Sequence, residues 1–103
     1  MTAALLWRPR AREDLLDIFE IIGVDNLAAA ERILAVLESR AQTLATHPRL
    51  GLRRRDIGPT VRVLIEGQYL ILYETHPNTD ESTIDTIEIV RVIDSKQVLT
   101  RLS

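Results

Sequence analysis

Apolar side chains recur at two spacings along this chain. In the first half they fall three and four residues apart, and in the second half they fall at alternate positions. The first spacing predicts amphipathic helices and the second predicts strands. Ahead of both patterns, residues 3–7 (AALLW) are too few for a helix and predict a buried strand.

The first helix is predicted from Pro9 to Gly23. Proline has no amide hydrogen to donate and suits the first helical turn, and glycine accepts the left-handed conformation that often ends a helix. Leu16 and Ile18 lie beside the helix's apolar stripe, which comprises Leu15, Phe19 and Ile22.

A longer second helix follows a cap at Asp25 or Asn26. It is predicted to end at His47, because the residue before a proline is pushed out of the helical region. The short link between the two helices predicts an antiparallel helical hairpin. The second helix carries a one-sided apolar stripe of Ala30, Ile33, Leu34, Leu37, Ala41, Leu44 and Ala45.

Residues 61–66 and 68–74 predict a β-hairpin that turns at Glu66-Gly67. In the second of these strands the two faces are both apolar, which is typical of a central strand. One face carries Tyr69, Ile71 and Tyr73, and the other carries Leu70 and Leu72.

Residues 84–93 predict a third strand of the sheet, after a polar turn at residues 76–82. Strict alternation would place Ile87, Ile89, Arg91 and Ile93 on one side. Asp94 or Ser95 caps a predicted last helix that runs to residue 102. The order β-α-α-β-β-β-α predicts one α+β domain over residues 1–103, with a helical hairpin packed on a mostly antiparallel sheet. The second sheet face is partly apolar, which predicts cover by a partner.

Composition narrows the classes of protein that fit this fold. The 103 residues carry a net charge of −2, which argues against a surface devoted to nucleic acid. The absence of cysteine excludes disulfides and thiolate-ligated zinc. The sequence shows neither a membrane-length apolar run nor a signal peptide, so a cytoplasmic protein is expected.

Candidate catalytic chemistry is sparse. His47 and His76 each precede a proline, which favours turn residues over acid–base groups. Asp14, Asp17 and Glu20 are three residues apart and predict an exposed, solvated helix face. The sequence shows neither metal-ligand spacing nor a glycine-rich phosphate loop. We expect no cofactor, no metal and no catalytic set, which favours a binding protein over an enzyme.

The arginines are more informative. An arginine cluster is offset in sequence only by Asp56, and it consists of the loop residues Arg49, Arg53, Arg54 and Arg55 together with Arg62, which enters the next strand. Such a cluster either binds phosphate or carboxylate, or simply keeps the loop soluble, and the sequence leaves both alternatives open. Arg91, within an apolar strand, is either paired in a partly buried site or exposed in a functional cleft. Trp7, Tyr69 and Tyr73 are expected to pack in the core rather than stack on bases.

Nearly the whole chain resembles the ParE branch of the RelE/ParE toxins of type II toxin–antitoxin modules. The resemblance is carried by WRPRAREDLLDIFEII, DNLAAAERILAVLESRAQTLATHPRLG, RRDIGPTVRVLIEGQYLILYE and IEIVRVID. Where the family usually continues with a His-Gly-Arg-Arg type sequence, this chain has Asp94-Ser95-Lys96.

The resemblance implies a growth-inhibiting toxin of the cytoplasm that forms a hetero-oligomer with a ParD-like antitoxin and serves plasmid or chromosome maintenance. ParE-like members act on DNA gyrase, whereas RelE-like members cut mRNA on the ribosome with several lysines and arginines. Lys96 is the single lysine here, and no histidine is predicted on a strand, which favours gyrase inhibition by binding. The alternatives are a RelE-like endonuclease and a degenerate, non-toxic member that binds only an antitoxin.

Two sets of residues are expected to make these contacts. The apolar sheet face and the helical hairpin would bind the antitoxin, with Trp7, Leu15, Phe19, Leu70 and Leu72 as candidates. The gyrase contact would use Arg53, Arg54, Arg55, Arg62 and Arg91. We expect neither membrane association nor sequence-specific DNA binding by the toxin alone.

Overall fold

Two helices precede most of a five-stranded sheet in the computed structural model, which describes residues 2–96. In chain order the elements are β1 (Ala4–Trp7), α1 (Pro9–Gly23), α2 (Leu27–Thr43), β2 (Leu52–Arg53), β3 (Arg62–Glu66), β4 (Tyr69–His76) and β5 (Thr86–Asp94). The predicted α+β class and the helical hairpin on a mostly antiparallel sheet are confirmed. Most of the predicted last helix, up to residue 102, lies outside the described residues.

The sheet has the strand order β1-β5-β4-β3-β2, which places β4 in the middle, as its two apolar faces predicted. β1 pairs with β5 in parallel, and every other neighbouring pair is antiparallel. β3 and β4 are joined by Gly67 and Gln68 alone, and Gly67 has a φ of 60°. Glycine at the first position of a two-residue hairpin loop adopts this conformation without steric cost.

Local sequence explains where the helices begin. α1 starts at Pro9, directly after Arg8. α2 starts after Asn26, whose side-chain oxygen accepts a hydrogen bond from the backbone N–H of Ala29 at 3.0 Å. It ends at Thr43, earlier than the predicted stop at His47. The apolar residues that follow, Leu44 and Ala45, are nonetheless buried, which is why the periodic pattern overran the helix.

Both helices cover one face of the sheet and share a single large core. Its largest fully buried members are Tyr73, Leu37, Leu44, Ile71, Ile87, Ile89 and Val92. The opposite face carries a second, smaller cluster of Val63, Leu70 and Leu72, against which Ile57, Val61, Val90 and Ile93 pack. The partly apolar second face is therefore largely covered by the chain itself.

Two predictions about the outer strands are wrong. β1 is an edge strand rather than a buried one, and Leu6 is 54% exposed. The loop that follows α2 contains β2, a two-residue strand that pairs with β3. A segment of two residues is too short to give a periodic signal, and an apolar run does not report whether a strand has one neighbour or two.

The predicted alternation along β5 fails at its centre. Ile89 pairs with Tyr73 and Arg91 pairs with Leu72, so Val90 is an extra residue in a β-bulge. The bulge changes the phase, and Val92 rather than Arg91 continues the core face of Ile87 and Ile89. A strict period of two cannot anticipate an inserted residue.

Candidate functional site

The loop after α2, here called the arginine loop because it carries Arg49, Arg53, Arg54 and Arg55, is hydrogen-bonded to the polar turn at residues 77–83. Arg53 donates from Nε to Asp80 Oδ1 at 2.8 Å and from Nη1 to Asn78 Oδ1 at 2.9 Å. Arg62 donates to the same carboxylate oxygen of Asp80 at 2.6 Å. The hydrogen bond from Arg53 has the largest effect on the pKa of Asp80, which it lowers, and the hydrogen bond from Arg62 lowers it further. The loop's charge is therefore offset by Asp80 as well as by Asp56, which the sequence did not reveal.

Two more arginines of the loop have partners nearby. Arg49 donates to the backbone oxygens of Thr79 and Ser82 in the same polar turn. Arg54 makes two hydrogen bonds to Asp56, at 2.9 Å and 2.7 Å. The side-chain hydrogen bonding raises the pKa of Arg54 and lowers that of Asp56. Arg54 is partly exposed and can still present a face to a partner.

Arg55 differs from its neighbours. It is exposed, and within residues 2–96 it makes no hydrogen bond or ion pair. Arg62, by contrast, is only 5% exposed, and its Nε lacks a hydrogen-bond partner among the described residues. Of the predicted contact residues in this arginine cluster, Arg55 is thus open to a macromolecule, whereas Arg62, the first residue of β3, is enclosed by its own chain.

Arg91 lies apart from the arginine loop, on β5. It donates from Nε to Asp14 Oδ2 at 2.7 Å and from Nη2 to Asp14 Oδ1 at 3.1 Å. The backbone N–H of Val92 donates to the same aspartate at 2.9 Å. Hydrogen bonding to Asp14 raises the pKa of Arg91. The first alternative for Arg91, pairing in a partly buried site, is confirmed.

The prediction that α1 has an exposed, solvated acidic face is wrong for Asp14, which is buried. This residue is 5% exposed, whereas Asp17 and Glu20 are exposed as predicted. Its charge is tolerated because a guanidinium and a backbone amide hydrogen-bond to it. Spacing along a helix could not show this, since both partners come from a strand far away in sequence.

The residues expected to bind the antitoxin do not form one open surface. Leu15 belongs to the main core, and Leu70 and Leu72 belong to the second cluster, so all three are buried. Trp7 and Phe19 are half-buried. The guanidinium of Arg12 lies 6.0 Å from the centre of the Trp7 ring. Trp7 and Phe19 therefore remain accessible to a partner, and the role of all five stays a prediction.

An open groove on the helical side was not anticipated. It has a volume of about 490 Å³ and lies between the helical hairpin and the β3–β4 turn. Its apolar lining is formed by Ile22, Ile33, Val36, Leu37 and Tyr69, and Arg32 and Glu66 also border it. Ile22, Ile33 and Leu37 belong to the apolar stripes of the two helices, and periodicity cannot show which part of a stripe borders an open groove.

His76 also departs from its prediction. It is the last residue of β4 rather than a turn residue, and its Nε2 lies 3.0 Å from Glu88 Oε1. Arg8 and Glu74 complete this ionic network on the sheet. The alternation of Glu74 and His76 along one strand was the available signal, since residues two apart share a face.

Comparison with known proteins identifies the family. A family model described as the ParE toxin of the type II toxin–antitoxin system parDE matches residues 5–99. The chain belongs to the ParE toxin family. Within the described residues, the match covers every helix and strand of this toxin except the first residue of β1. No curated protein matches its sequence.

Solved structures support the same fold. The chromosomal ParDE toxin–antitoxin system from P. aeruginosa aligns with a TM-score of 0.71 at 20% identity, over 90% of this toxin and 96% of that chain. The toxin–antitoxin complex RelBE2 from Mycobacterium tuberculosis aligns with a TM-score of 0.62 at 28% identity, over 91% of this toxin and 99% of that chain. In the described part of this ParE-family toxin, neither helix has the length and apolar character needed to span a membrane.

Proposed function

We propose that this toxin inhibits DNA gyrase by binding to it and that an antitoxin of the ParD type neutralises the toxin. The family match over residues 5–99 carries the proposal. The similarity to the P. aeruginosa ParDE system supports the fold in which such a partner would bind. Inhibition by binding requires accessible contact groups and no nucleophile. The arginine loop supplies an accessible contact group in Arg55.

The proposed gyrase contact centres on Arg54 and Arg55. Arg53 and Arg62 bind Asp80 and so hold the loop in place, and Arg91 binds Asp14 and so holds β5 against α1. These three arginines therefore position other residues rather than contact gyrase themselves. A guanidinium that is free in the toxin can form a two-point contact with a carboxylate or phosphate of the target. The other four arginines already form ion pairs with carboxylates of the toxin. They are Arg53, Arg54, Arg62 and Arg91, of which Arg54 is the most exposed.

The proposed antitoxin contact is the open groove beside α2, together with the half-buried Phe19 and Trp7. Apolar area in an open groove is the surface on which a disordered segment gains affinity when it folds. Val36 is 42% exposed at this groove. A charge at Val36 would be desolvated by a bound partner without disturbing the core of the free toxin.

Supercoiling by purified gyrase, measured with increasing amounts of toxin, tests the proposal. The toxin should inhibit supercoiling or accumulate cleaved DNA, and its antitoxin should abolish the effect. Normal gyrase activity at micromolar toxin would contradict the proposed target. Induced expression without the antitoxin adds a simple check. Unimpaired growth would contradict toxicity and would leave only the alternative of a degenerate member that binds an antitoxin.

Two substitutions separate the two surfaces. Arg55→Glu should raise the toxin concentration for half-inhibition by about tenfold, equivalent to 1.4 kcal/mol, and leave antitoxin affinity unchanged. Val36→Asp should weaken antitoxin binding and leave gyrase inhibition unchanged. Each variant is the control for the other. Equal effects of both variants in both assays would show that the surfaces are not separate.

Cleavage of mRNA on the ribosome is the second candidate, and the similarity to RelBE2 at 28% identity favours it. Primer extension on programmed ribosomes distinguishes the two functions. Intact mRNA together with inhibited gyrase supports the first proposal, and cut mRNA together with normal gyrase replaces it by the second.

A further inference from the structure

Three side chains of metal-ligand type meet at the end of the central strands. Glu74 and His76 are two residues apart on β4 and share a face, and Glu88 on β5 is directly opposite Glu74. The Nε2 atom of His76 is 3.0 Å from Glu88 Oε1. One ligand atom from each of the three residues lies within 4.8 Å of the other two. Two hydrogen-bonded strands thus hold an imidazole and two carboxylates together.

A positive group already bridges the two carboxylates. Arg8 Nη2 is 2.9 Å from Glu74 Oε1, and Arg8 Nε is 3.0 Å from Glu88 Oε2. Arg8 Nη2 also donates to Glu88 Oε1 at 3.1 Å. The Thr60 hydroxyl donates to Glu74 Oε2 and orients that side chain. The geometry is therefore already arranged around a cation.

The Arg8 side chain is 39% exposed, and His76 is 52% exposed. The guanidinium is therefore in contact with solvent, and an ion can reach the carboxylates from the surface. Two carboxylates and one guanidinium carry a net charge of −1 in this cluster. If a divalent ion replaced the guanidinium, the ion and the two carboxylates together would have a net charge of zero.

We propose that Glu74, His76 and Glu88 bind a divalent transition-metal ion of the zinc class in competition with the Arg8 guanidinium. Mixed imidazole and carboxylate ligands suit Zn²⁺, whereas Mg²⁺ and Ca²⁺ prefer oxygen ligands alone. Three protein ligands leave a fourth position for water. Metal binding would tie the end of β4 to β5 and release Arg8, the residue that precedes α1.

Zinc titration of the full chain, prepared without a polyhistidine tag, tests the site. Calorimetry should show one Zn²⁺ bound per chain, Mg²⁺ should give no comparable heat, and Zn²⁺ should raise the melting temperature. His76→Ala should weaken binding at least about tenfold. His47→Ala is the matched control, because it removes the other histidine and leaves the cluster intact.

Arg8→Gln gives the sharpest test. It removes the competing cation and no ligand, so zinc binding should strengthen by roughly fivefold, the gain expected from losing a partly exposed ion pair. Circular dichroism confirms that each variant is folded before titration. The proposal is overturned if His76→Ala binds zinc as the parent does, or if Arg8→Gln does not bind more tightly. Both readouts are independent of gyrase inhibition.

Discussion

The carboxylate of Asp14 joins α1 to the bulge of β5 by accepting hydrogen bonds from both nitrogens of one edge of Arg91. A third bond, from the backbone N–H of Val92, fixes the strand at the residue after Arg91. Helix and strand are 77 residues apart in sequence at this contact. The ion pair therefore ties α1 directly to β5, in addition to the apolar core that the helices and the sheet share.

Asp14→Ala should destabilise the toxin by about 3 kcal/mol, because it leaves a partly buried guanidinium and a buried backbone N–H without their acceptor. Urea unfolding followed by circular dichroism measures the change. Asp17→Ala, on the exposed surface of the same helix, should alter the free energy of unfolding by no more than about 0.5 kcal/mol. Equal losses in the two variants would contradict a specific role for Asp14.

Gly51 sits where a larger residue does not fit. A Cβ atom there would lie 2.6 Å from Tyr73 Cε1 and 2.8 Å from the backbone oxygen of Val63. Gly51→Ala should therefore cost about 1–3 kcal/mol, measured by thermal or urea unfolding. Gly23→Ala is the matched control, because its new methyl group would lie 3.7 Å from Ala30 Cβ at ordinary contact distance. That variant should be neutral or more stable by up to about 1 kcal/mol.

Tyr73 should make the free energy of unfolding fall at alkaline pH. Its hydroxyl accepts from Gly51 N at 2.9 Å and donates to Pro48 O at 2.8 Å, and burial raises its pKa. Because the folded protein holds this proton more tightly than the unfolded chain, stability is complete below the unfolded pKa of about 10 and declines as pH rises through the folded value.

Urea unfolding across this pH range checks the effect. Tyr73→Phe should remove its share of the alkaline loss and cost about 1 kcal/mol at pH 7, where the two hydrogen bonds are missing. The pKa of Tyr69 is also raised by burial, so Tyr69→Phe is the comparison. An alkaline decline that is unchanged in Tyr73→Phe would contradict the assignment.

Asp80 gives the opposite pH dependence. Its pKa is lowered by hydrogen bonds from Arg53 and then Arg62, so its contribution is present above the unfolded carboxyl pKa of about 3.9. That contribution is lost as pH falls through the lower folded value. Asp80→Asn should lower the melting temperature at neutral pH and reduce its decline in acid. Glu81→Gln, the exposed neighbour, should change neither, and the same acid decline in both would count against Asp80.

Local patterns were sufficient for much of the architecture. The hairpin turn at Gly67, the start of α1 at Pro9 and the central place of β4 were all predicted, since each depends on residues close in sequence or on side-chain alternation. The family resemblance was confirmed over residues 5–99. Errors arose where tertiary structure imposes an irregularity, as with the extra residue Val90 in β5.

The candidate sites were harder to predict because charge pairing is a long-range property. Arg53 and Arg62 share Asp80 from a distant turn, and Arg91 shares Asp14 with a helix. The sequence identified the arginines but not these distant partners, so it could not distinguish these arginines from Arg55, which has no partner within residues 2–96. Burial of Leu70 and Leu72 by the loop at residues 57–61 was hidden for the same reason.

The parallel pairing of β1 with β5 has a consequence for synthesis of the toxin. Ala4, near the start of the chain, is hydrogen-bonded alongside Thr86, so the first strand has no sheet to join until the last strand exists. A nascent chain that has completed β4 can form the hairpins but still lacks the strand that lies between β1 and β4. The five-stranded sheet can therefore be completed only after β5 has been synthesised, although the helical hairpin and the β3–β4 hairpin are already present in the growing chain.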